Sequence, residues 1–240
     1  MYPALIFHSF NNNRNADKFY DLKLGKFISL IDFISNKINP KKITLTFDDG
    51  FKSIIPAVEY SLNKGFITIA YIISDYIDKD GFLTKKDIKY LYSIGCIIGS
   101  HSKSHRDLSK VGKDLLKIEL IESKRVLENI IGVEINHFSF PYGAHNKYVM
   151  RKAKTIYKFN AISRPNFFKE NNIIGRISIN SLNCNSHNNV LILLKNRKSY
   201  KYIIRLFISY FLKKFLPNKI YIYLKNIISK NKSKDVFNGK

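Results

Sequence analysis

Two adjacent carboxylates, Asp48 and Asp49, directly follow the apolar residues 43–47 and precede Gly50. An apolar run of this length is typical of a buried strand, so both side chains would stand at the end of that strand. Neighbouring carboxylates repel each other unless a cation lies between them or one carries a proton. The pair therefore indicates a metal site or acid–base chemistry. Asp-Gly also favours tight turns, which is the purely structural alternative.

Two imidazoles strengthen the chemical interpretation. His101 and His105 lie four residues apart and also follow a strand-like apolar segment. One aspartate and two histidines form a suitable donor set for a divalent metal, with zinc favoured by the imidazoles and further positions left open to water and substrate. The other aspartate could then take a proton from the attacking water, which would make the site hydrolytic.

The elements that must position these residues alternate along the chain. Strands are predicted over residues 4–7, 43–47, 67–74, 96–99, 137–140, 160–163 and 176–179. Helical patterns lie between most of them: Thr84 and Asp87 form a capping box, and a helix over residues 113–131 should end at Gly132. Strand and helix in alternation favour an α/β fold, with a parallel sheet or barrel inside a layer of helices. Because the carboxyl ends of such strands gather on one face, the aspartates and histidines should meet there.

Length and composition fit one catalytic-sized domain. The chain has 240 residues, of which 45% are hydrophobic, enough for a sizeable core. Its two cysteines, Cys96 and Cys184, lie far apart without a C-x-x-C spacing, so we predict neither a disulfide framework nor a thiolate zinc site. The first residues enter a strand-like segment without a basic leader or a cleavage site, so we expect a cytoplasmic protein.

Basic residues are concentrated near the end of the chain. Residues 195–240 hold thirteen Lys or Arg and one Asp, out of a net charge of +23. We predict a catalytic domain over residues 1–194 and C-terminal basic amphipathic helices over residues 195–240. This extension either attaches to an anionic membrane surface through residues 198–230, at the inner face of the cell membrane, or packs on the domain. No nucleic-acid binding is expected, because no recognition motif accompanies the charge.

Three motifs together are similar to those of a known family. Residues 46–50 read Thr-Phe-Asp-Asp-Gly, residues 101–105 read His-Ser-Lys-Ser-His, and residues 140–143 read Phe-Pro-Tyr-Gly. In this order and at these separations they resemble the first three motifs of the polysaccharide deacetylases, carbohydrate esterase family 4, which share the NodB-like homology domain. The resemblance implies a distorted (β/α) barrel with about seven parallel strands and metal-dependent hydrolysis of N-acetyl groups on sugars.

The resemblance also implies a role for each matching residue. Asp48 would be the catalytic base, and Tyr142 would offer its backbone N–H to an oxyanion hole. Asp49, His101 and His105 would be the metal ligands, with Zn²⁺ as the expected ion.

Two positions depart from the family pattern. Ser139 stands where many members have an arginine that orients the base; Arg176 is our first candidate for that role and Arg164 the second. The family's late histidine, which follows an apolar strand and protonates the leaving amine, is absent, because Lys195 follows the apolar residues 190–194. His187 lies nearby and could replace it, so the general acid stays open. His8, after the first strand, is expected only to line the pocket.

These observations lead to one principal hypothesis and two alternatives. The principal hypothesis is a metal-dependent deacetylase that acts on the N-acetylated sugars of a surface polysaccharide or its precursor. One alternative is a deacetylase with a non-polysaccharide N-acetyl substrate. The other is a glycan-binding protein with impaired catalysis, because the expected arginine and late histidine are missing from their usual positions.

Overall fold

The computed structural model of the protein describes residues 4–11, 16–164, 172–180 and 186–195. The strands of this part of the chain are β1 (Ala4–Phe7), β2 (Ser9–Phe10), β3 (Asp21–Leu22), β4 (Thr44–Phe47), β5 (Ile67–Ile72), β6 (Ile97–Ser100), β7 (His137–Ser139), β8 (Phe159–Ile162) and β9 (Ile173–Ser178). The helices are α1 (Leu24–Ser35), α2 (Ile55–Asn63), α3 (Lys85–Ser93), α4 (Lys113–Ile131), α5 (Lys147–Ile156) and α6 (His187–Lys195).

Seven of these strands form a closed parallel barrel, which confirms the predicted fold class. Their order is β1-β4-β5-β6-β7-β8-β9, and β9 returns to pair with β1, where Ala4 lies opposite Arg176. Each barrel strand overlaps one of the seven strands predicted from the sequence. Because all the pairings are parallel, the carboxyl ends of the strands lie at one rim of the barrel.

The helices cover the barrel because each carries an apolar face. In α4, Leu116, Leu120 and Leu127 are buried, as their helical spacing predicts. Gly132 has a φ of 76°, the left-handed conformation with which glycine commonly ends a helix. The capping box of Thr84 and Asp87 opens α3.

The basic extension predicted over residues 195–240 falls outside the described residues from position 196 onward, so its helices and the domain boundary stay predictions. Among the helices that are described, none has the length and apolar character required to cross a bilayer.

Large side chains fill the barrel interior, and one glycine makes room for them. Tyr71 on β5 is fully buried beside Gly99 on β6, where an added Cβ would lie only 2.6 Å from Cδ1 of the tyrosine ring. The guanidinium of Arg176 lies over that ring, with Cζ 5.1 Å from the centroid, in a favourable cation–π arrangement. Burial raises the pKa of the Tyr71 hydroxyl, so the ring stays neutral beneath the guanidinium. The absence of a side chain at Gly99 thus lets Tyr71 pack where its ring contacts the guanidinium of Arg176.

A half-buried imidazole on β7 links the stability of the barrel to pH. The ring of His137 stacks on Phe159 with centroids 4.7 Å apart, and its buried Nδ1 has no hydrogen-bond partner among the described residues. Burial lowers the pKa of His137 from 6.5 to about 4. The unfolded chain therefore takes up a proton near pH 6.5, whereas the folded chain takes it up only near pH 4. Stability that is fully present above pH 6.5 is lost as the pH falls between these values.

We expect the wild type to lose about 2 kcal/mol more unfolding free energy than a His137→Gln variant between pH 7 and pH 4, a value reduced for the partial exposure of the ring. Urea denaturation at both pH values measures this difference. His187→Gln is the control, because it removes an imidazole from an outer helix and should follow the wild type. Equal losses for the wild type and His137→Gln would contradict the prediction.

Candidate active site

The chain turns sharply where the two aspartates stand. The backbone N–H of Asp48 donates to the carbonyl of Phe7 at 2.9 Å, which extends the pairing between β1 and β4 by one residue. Asp49 and Gly50 then adopt left-handed conformations with φ of 73° and 78°. The two aspartates therefore form part of a tight turn and also a cluster of negative charge. The turn directs both carboxylates toward the rim of the barrel.

The carboxylate of Asp48 is buried and held by a guanidinium from β9. Arg176 donates from Nη1 to Oδ1 at 2.6 Å and from Nη2 to Oδ2 at 3.0 Å, a bidentate pair. The same guanidinium donates to the hydroxyls of Ser139 at 2.6 Å and Thr46 at 3.2 Å, and Ser139 in turn donates to Oδ2 of Asp48 at 3.3 Å. Burial alone would raise the pKa of Asp48, but the charge of Arg176 and its hydrogen bonds hold that pKa below its ordinary value. Asp48 is thus an ionised carboxylate with a fixed orientation.

Of the two arginines considered for this position, the structure places Arg176 beside Asp48 and leaves Arg164 exposed. Arg164 contributes only its backbone carbonyl, which accepts from the N–H of Arg176 at 3.1 Å. The position of Ser139, where the family often has arginine, is used by a small hydroxyl that contacts both members of the ion pair.

Asp49 and the two histidines converge beside this pair. Oδ1 of Asp49 lies 3.4 Å from Nε2 of His101 and 3.3 Å from Nε2 of His105. Nδ1 of His101 lies 2.8 Å from the carbonyl of Ser139, a bond that requires the proton on Nδ1 and leaves the Nε2 lone pair directed at the cluster. Within the described residues, these three side chains are the one group of His, Cys, Asp or Glu whose ligand atoms approach so closely, all within 4.8 Å.

The donor set fits a divalent metal. Two imidazole nitrogens and one carboxylate oxygen are zinc-type ligands, and three protein ligands leave positions for water and substrate. Burial would raise the pKa of Asp49, but hydrogen bonds with His101 and His105 hold it well below the ordinary value. Burial would lower the pKa of His101, whereas the carboxylates of Asp48 and Asp49 raise it. The cluster is therefore suited to a positive charge at its centre, supplied by a proton or by a metal ion.

Tyr142 lies at the mouth of the cluster. It follows β7 in the short turn Pro141–Gly143 and has a φ of 58°, so a non-glycine residue is held in the left-handed conformation. Its side chain is 64% exposed, and its ring lies 4.5 Å from that of His105 between centroids. The turn that carries Tyr142 thus brings its ring against His105, one of the predicted metal ligands.

His8 lies beside the two aspartates, whereas the sequence predicted only that it lines the pocket. It follows β1 directly, next to the end of β4, because Phe7 pairs with Phe47. Its Nδ1 is buried and has no hydrogen-bond partner among the described residues, while its ring packs on Tyr20 at 4.6 Å. Burial lowers the pKa of His8, and the charges of Asp49 and Asp48 act in the opposite direction. In the sequence, the one signal for this placement is the position of His8 at the end of a barrel strand.

His187 lies elsewhere in the fold. It is the first residue of α6, and its ring lies 5.3 Å from that of Phe33 on α1, in the outer layer of helices. The apolar residues 190–194 belong to α6 and not to a strand, so the late strand-and-histidine arrangement of the family has no counterpart at these positions.

Comparison with known sequences places this site in context. A family profile described as polysaccharide deacetylase matches residues 35–157. Bacillus subtilis YxkH, whose name assigns it only provisionally as a polysaccharide deacetylase, is 24% identical over 180 residues, covering 68% of this chain and 64% of the relative. Peptidoglycan-N-acetylmuramic acid deacetylase PdaA of the same organism is 29% identical over 126 residues, covering 52% of this chain and 47% of the relative. The chain thus spans 64% and 47% of the length of these two relatives.

Solved structures share the barrel. A polysaccharide deacetylase from Bacillus cereus superposes with a TM-score of 0.69 at 22% identity, covering 80% of this chain and 68% of that one. The Streptococcus pyogenes deacetylase PplD in complex with acetate also gives a TM-score of 0.69, at 18% identity, covering 81% of this chain and 98% of that one. At these identities the likeness establishes the fold.

Proposed function

Because this chain belongs to the polysaccharide deacetylase family, we propose that it is a metal-dependent hydrolase that removes acetyl groups from the N-acetylated sugars of a surface polysaccharide or its precursor. The observation that carries this proposal is the convergence of Asp49, His101 and His105 beside an aspartate held ionised by a buried arginine. The names of relatives that act on peptidoglycan support N-acetylated cell-wall sugars as first candidate substrates.

Asp49, His101 and His105 would hold the metal ion, with zinc favoured by the two imidazoles. When bound, such an ion polarises an acetyl carbonyl and promotes the ionisation of water. The hydrogen bond from His101 Nδ1 to the carbonyl of Ser139 fixes the ring so that Nε2 would be the atom that binds the metal. The protein thus contributes a preformed set of ligands and one oriented base.

Asp48 would accept the proton from the attacking water. Its Oδ2 is the oxygen that faces the cluster, 3.8 Å from Nε2 of His101, while both carboxylate oxygens are fixed by Arg176. Because Arg176 keeps Asp48 ionised, the base is ready to accept a proton at neutral pH. The backbone N–H of Tyr142, held in its left-handed turn, would stabilise the negative charge that develops on the acetyl oxygen.

Acetate release tests the proposal directly. N-acetylated chitooligosaccharides and muropeptides are incubated with the protein as purified, after chelator treatment, and after addition of Zn²⁺. We expect release that falls on chelation and returns with the ion, together with about one ion per chain in metal analysis. Release from simple N-acetyl compounds but not from oligosaccharides would favour the non-polysaccharide alternative. Binding of oligosaccharides without any acetate release would favour the glycan-binding alternative.

The family's late histidine, which donates the proton to the leaving amine, has no match at residues 190–195 of this chain, and we propose His8 for this role. Its position beside Asp48 at the rim supports this role, whereas His187 packs on an outer helix. We expect His8→Gln to slow acetate release from sugars about 10²–10⁴-fold with metal content unchanged.

An activated aryl acetate provides the internal control for His8, because its phenolate leaves without protonation and His8→Gln should hydrolyse it nearly as fast as the wild type. His187→Gln is the matched histidine control and should retain both activities. Full deacetylation of sugars by His8→Gln would show that another group donates the proton.

We further propose that the basic residues 198–230 bring the protein to anionic lipid at the inner face of the membrane. Support comes from charge alone, because residues 171–234 contain no Asp or Glu. Co-sedimentation with phosphatidylglycerol vesicles, compared between the full chain and a chain ending at residue 197, tests this. Equal sedimentation of the two would assign the extension a packing role.

A further inference from the structure

A buried carboxylate on α4 supports the loop that carries both histidines. Glu119 is 1% exposed, although burying an ionised carboxylate is costly unless its oxygens are hydrogen-bonded. Its Oε2 accepts from the backbone N–H groups of Lys103 and Ser104, each at 2.9 Å, and its Oε1 accepts from the Ser104 hydroxyl. The nearest cation partner is Arg106, with Nε 3.9 Å from Oε1. The loop backbone is therefore its principal contact.

The loop between the histidines has a conformation that needs external support. Ser102 and His105 both have positive φ, 66° and 60°, and a non-glycine residue in this region costs on the order of 1 kcal/mol. The Ser102 hydroxyl accepts from the N–H of His105 at 3.1 Å, which closes the turn locally. Lys103 and Ser104, the two residues between them, are the ones that Glu119 binds. The carboxylate thus pins the strained part of the loop.

The same helix holds the strand end that precedes the loop. One turn after Glu119, Ser123 accepts a hydrogen bond from Ser100 at 2.8 Å, and Ser100 accepts from the N–H of Ser102 at 3.2 Å. Helix α4 therefore contacts the histidine-bearing segment at two places. Ser123 contacts Ser100 at the end of β6, and Glu119 contacts the loop residues that lie between His101 and His105 in the sequence.

We propose that Glu119 is a positioning residue of the metal site: it fixes the 102–105 loop so that His101 and His105 both point at Asp49. The proposal rests on the metal site of the proposed function. Glu119 itself does not reach the metal ligands; it acts through the backbone of the residues between them, as outer partners of metal ligands do when they set ligand orientation.

The binding of Zn²⁺, measured by competition with a chelating dye, and the visible spectrum of the Co²⁺ form test this without any activity measurement. Glu119→Asp moves the carboxylate back by one methylene, and Glu119→Leu removes the acceptors. Both variants should bind Zn²⁺ about 10–100-fold more weakly and change the Co²⁺ absorption. Glu119→Gln keeps an acceptor oxygen at the same reach and should stay within a few-fold of the wild type.

Leu127→Ala is the matched control, because Leu127 is buried on the same helix and its truncation lowers stability without touching the loop. It should lose thermal stability yet keep the Zn²⁺ affinity of the wild type. If Glu119→Leu does not fold, Glu119→Asp decides. Wild-type affinity in Glu119→Asp, or an equal loss of affinity in Leu127→Ala, would overturn the role of Glu119. Absence of Zn²⁺ binding by the wild type would instead overturn the proposed metal site.

Discussion

Asp48→Asn should reduce acetate release about 10²–10⁴-fold, the range expected for removal of a positioned general base. The carboxamide has nearly the same shape as the carboxylate but cannot take a proton from water. Its oxygen can still accept from Arg176, so the variant should fold with the base position filled and inactive. The measurement is the initial rate of acetate release from the best N-acetylated oligosaccharide.

Zn²⁺ affinity provides the internal control for this variant. Asp48 is not one of the three converging ligands, so Asp48→Asn should bind the ion as the wild type does. Asp49→Asn, one residue away, should lose both Zn²⁺ binding and activity, because it removes the only carboxylate of the donor set. Asp32→Asn serves as the surface control, since Asp32 pairs with Lys64 on the outer helices.

This comparison separates the two carboxylates that the sequence presents as neighbours. Loss of metal in Asp48→Asn would exchange the proposed roles of the pair. Wild-type rates in Asp48→Asn would mean that the base is another group.

The barrel could be predicted from the sequence because its signals are local. Apolar runs, helical spacing and glycines mark each element, as Gly132 does at the end of α4. Once strands and helices alternate, the parallel arrangement follows, and so does the meeting of polar residues at one rim. This topology predicts that the aspartates and histidines converge, although the sequence gives no distances between them.

The contacts that could be predicted only in part depend on barrel closure. Arg176 reaches Asp48 across 128 positions of sequence because β9 pairs with β1 and the guanidinium extends through the interior toward β4. No local pattern encodes that register, so Arg176 could be ranked first for this role but Arg164 had to stay as the second candidate. Residues 190–194 show that a local pattern can also be ambiguous. A short apolar run fits a buried strand and a helix alike, and here it forms part of helix α6.

The sequence of α4 contains an indication that Glu119 is buried. The apolar stripe of α4 includes Leu116, Leu120 and Leu127, and Glu119 lies at the edge of that stripe and is buried with it. An acidic residue in a core stripe requires a buried partner. The partner is the backbone of a loop whose conformation depends on two positive φ values, and these are set by tertiary structure.

Arg176→Met should be the most destabilising single change at the site, costing about 3–5 kcal/mol of unfolding free energy. It removes the positive member of a fully buried pair and leaves the carboxylate of Asp48 without its bidentate partner. Methionine fills the space over the Tyr71 ring but offers no donor to Asp48 or Ser139. Chemical denaturation at neutral pH measures the loss.

The pH dependence identifies the cause of that loss. In the wild type, Arg176 lowers the pKa of Asp48, so the stability contributed by the pair is present above the ordinary carboxyl pKa and is lost as the pH falls through the lowered value. Without Arg176, burial raises the pKa of Asp48, and protonation removes the unpaired charge already in mild acid. The difference in stability between the wild type and Arg176→Met should therefore shrink as the pH falls from 7 toward 4.

The double variant Arg176→Met with Asp48→Asn completes the test. If the cost of Arg176→Met is an uncompensated buried charge, replacing Asp48 by a neutral amide should recover part of the lost stability, so that the double variant is more stable than Arg176→Met alone. If instead the cost comes from lost packing over Tyr71, the two substitutions will add, and the pH will not change the difference. Acetate release should be strongly reduced in both variants, because Asp48 loses the partner that orients it in Arg176→Met and is replaced by an amide in the double variant. Recovery of stability without recovery of activity would show that the ion pair contributes separately to stability and to catalysis. It would also assign to Arg176 the function that the family's arginine performs from the position here occupied by Ser139.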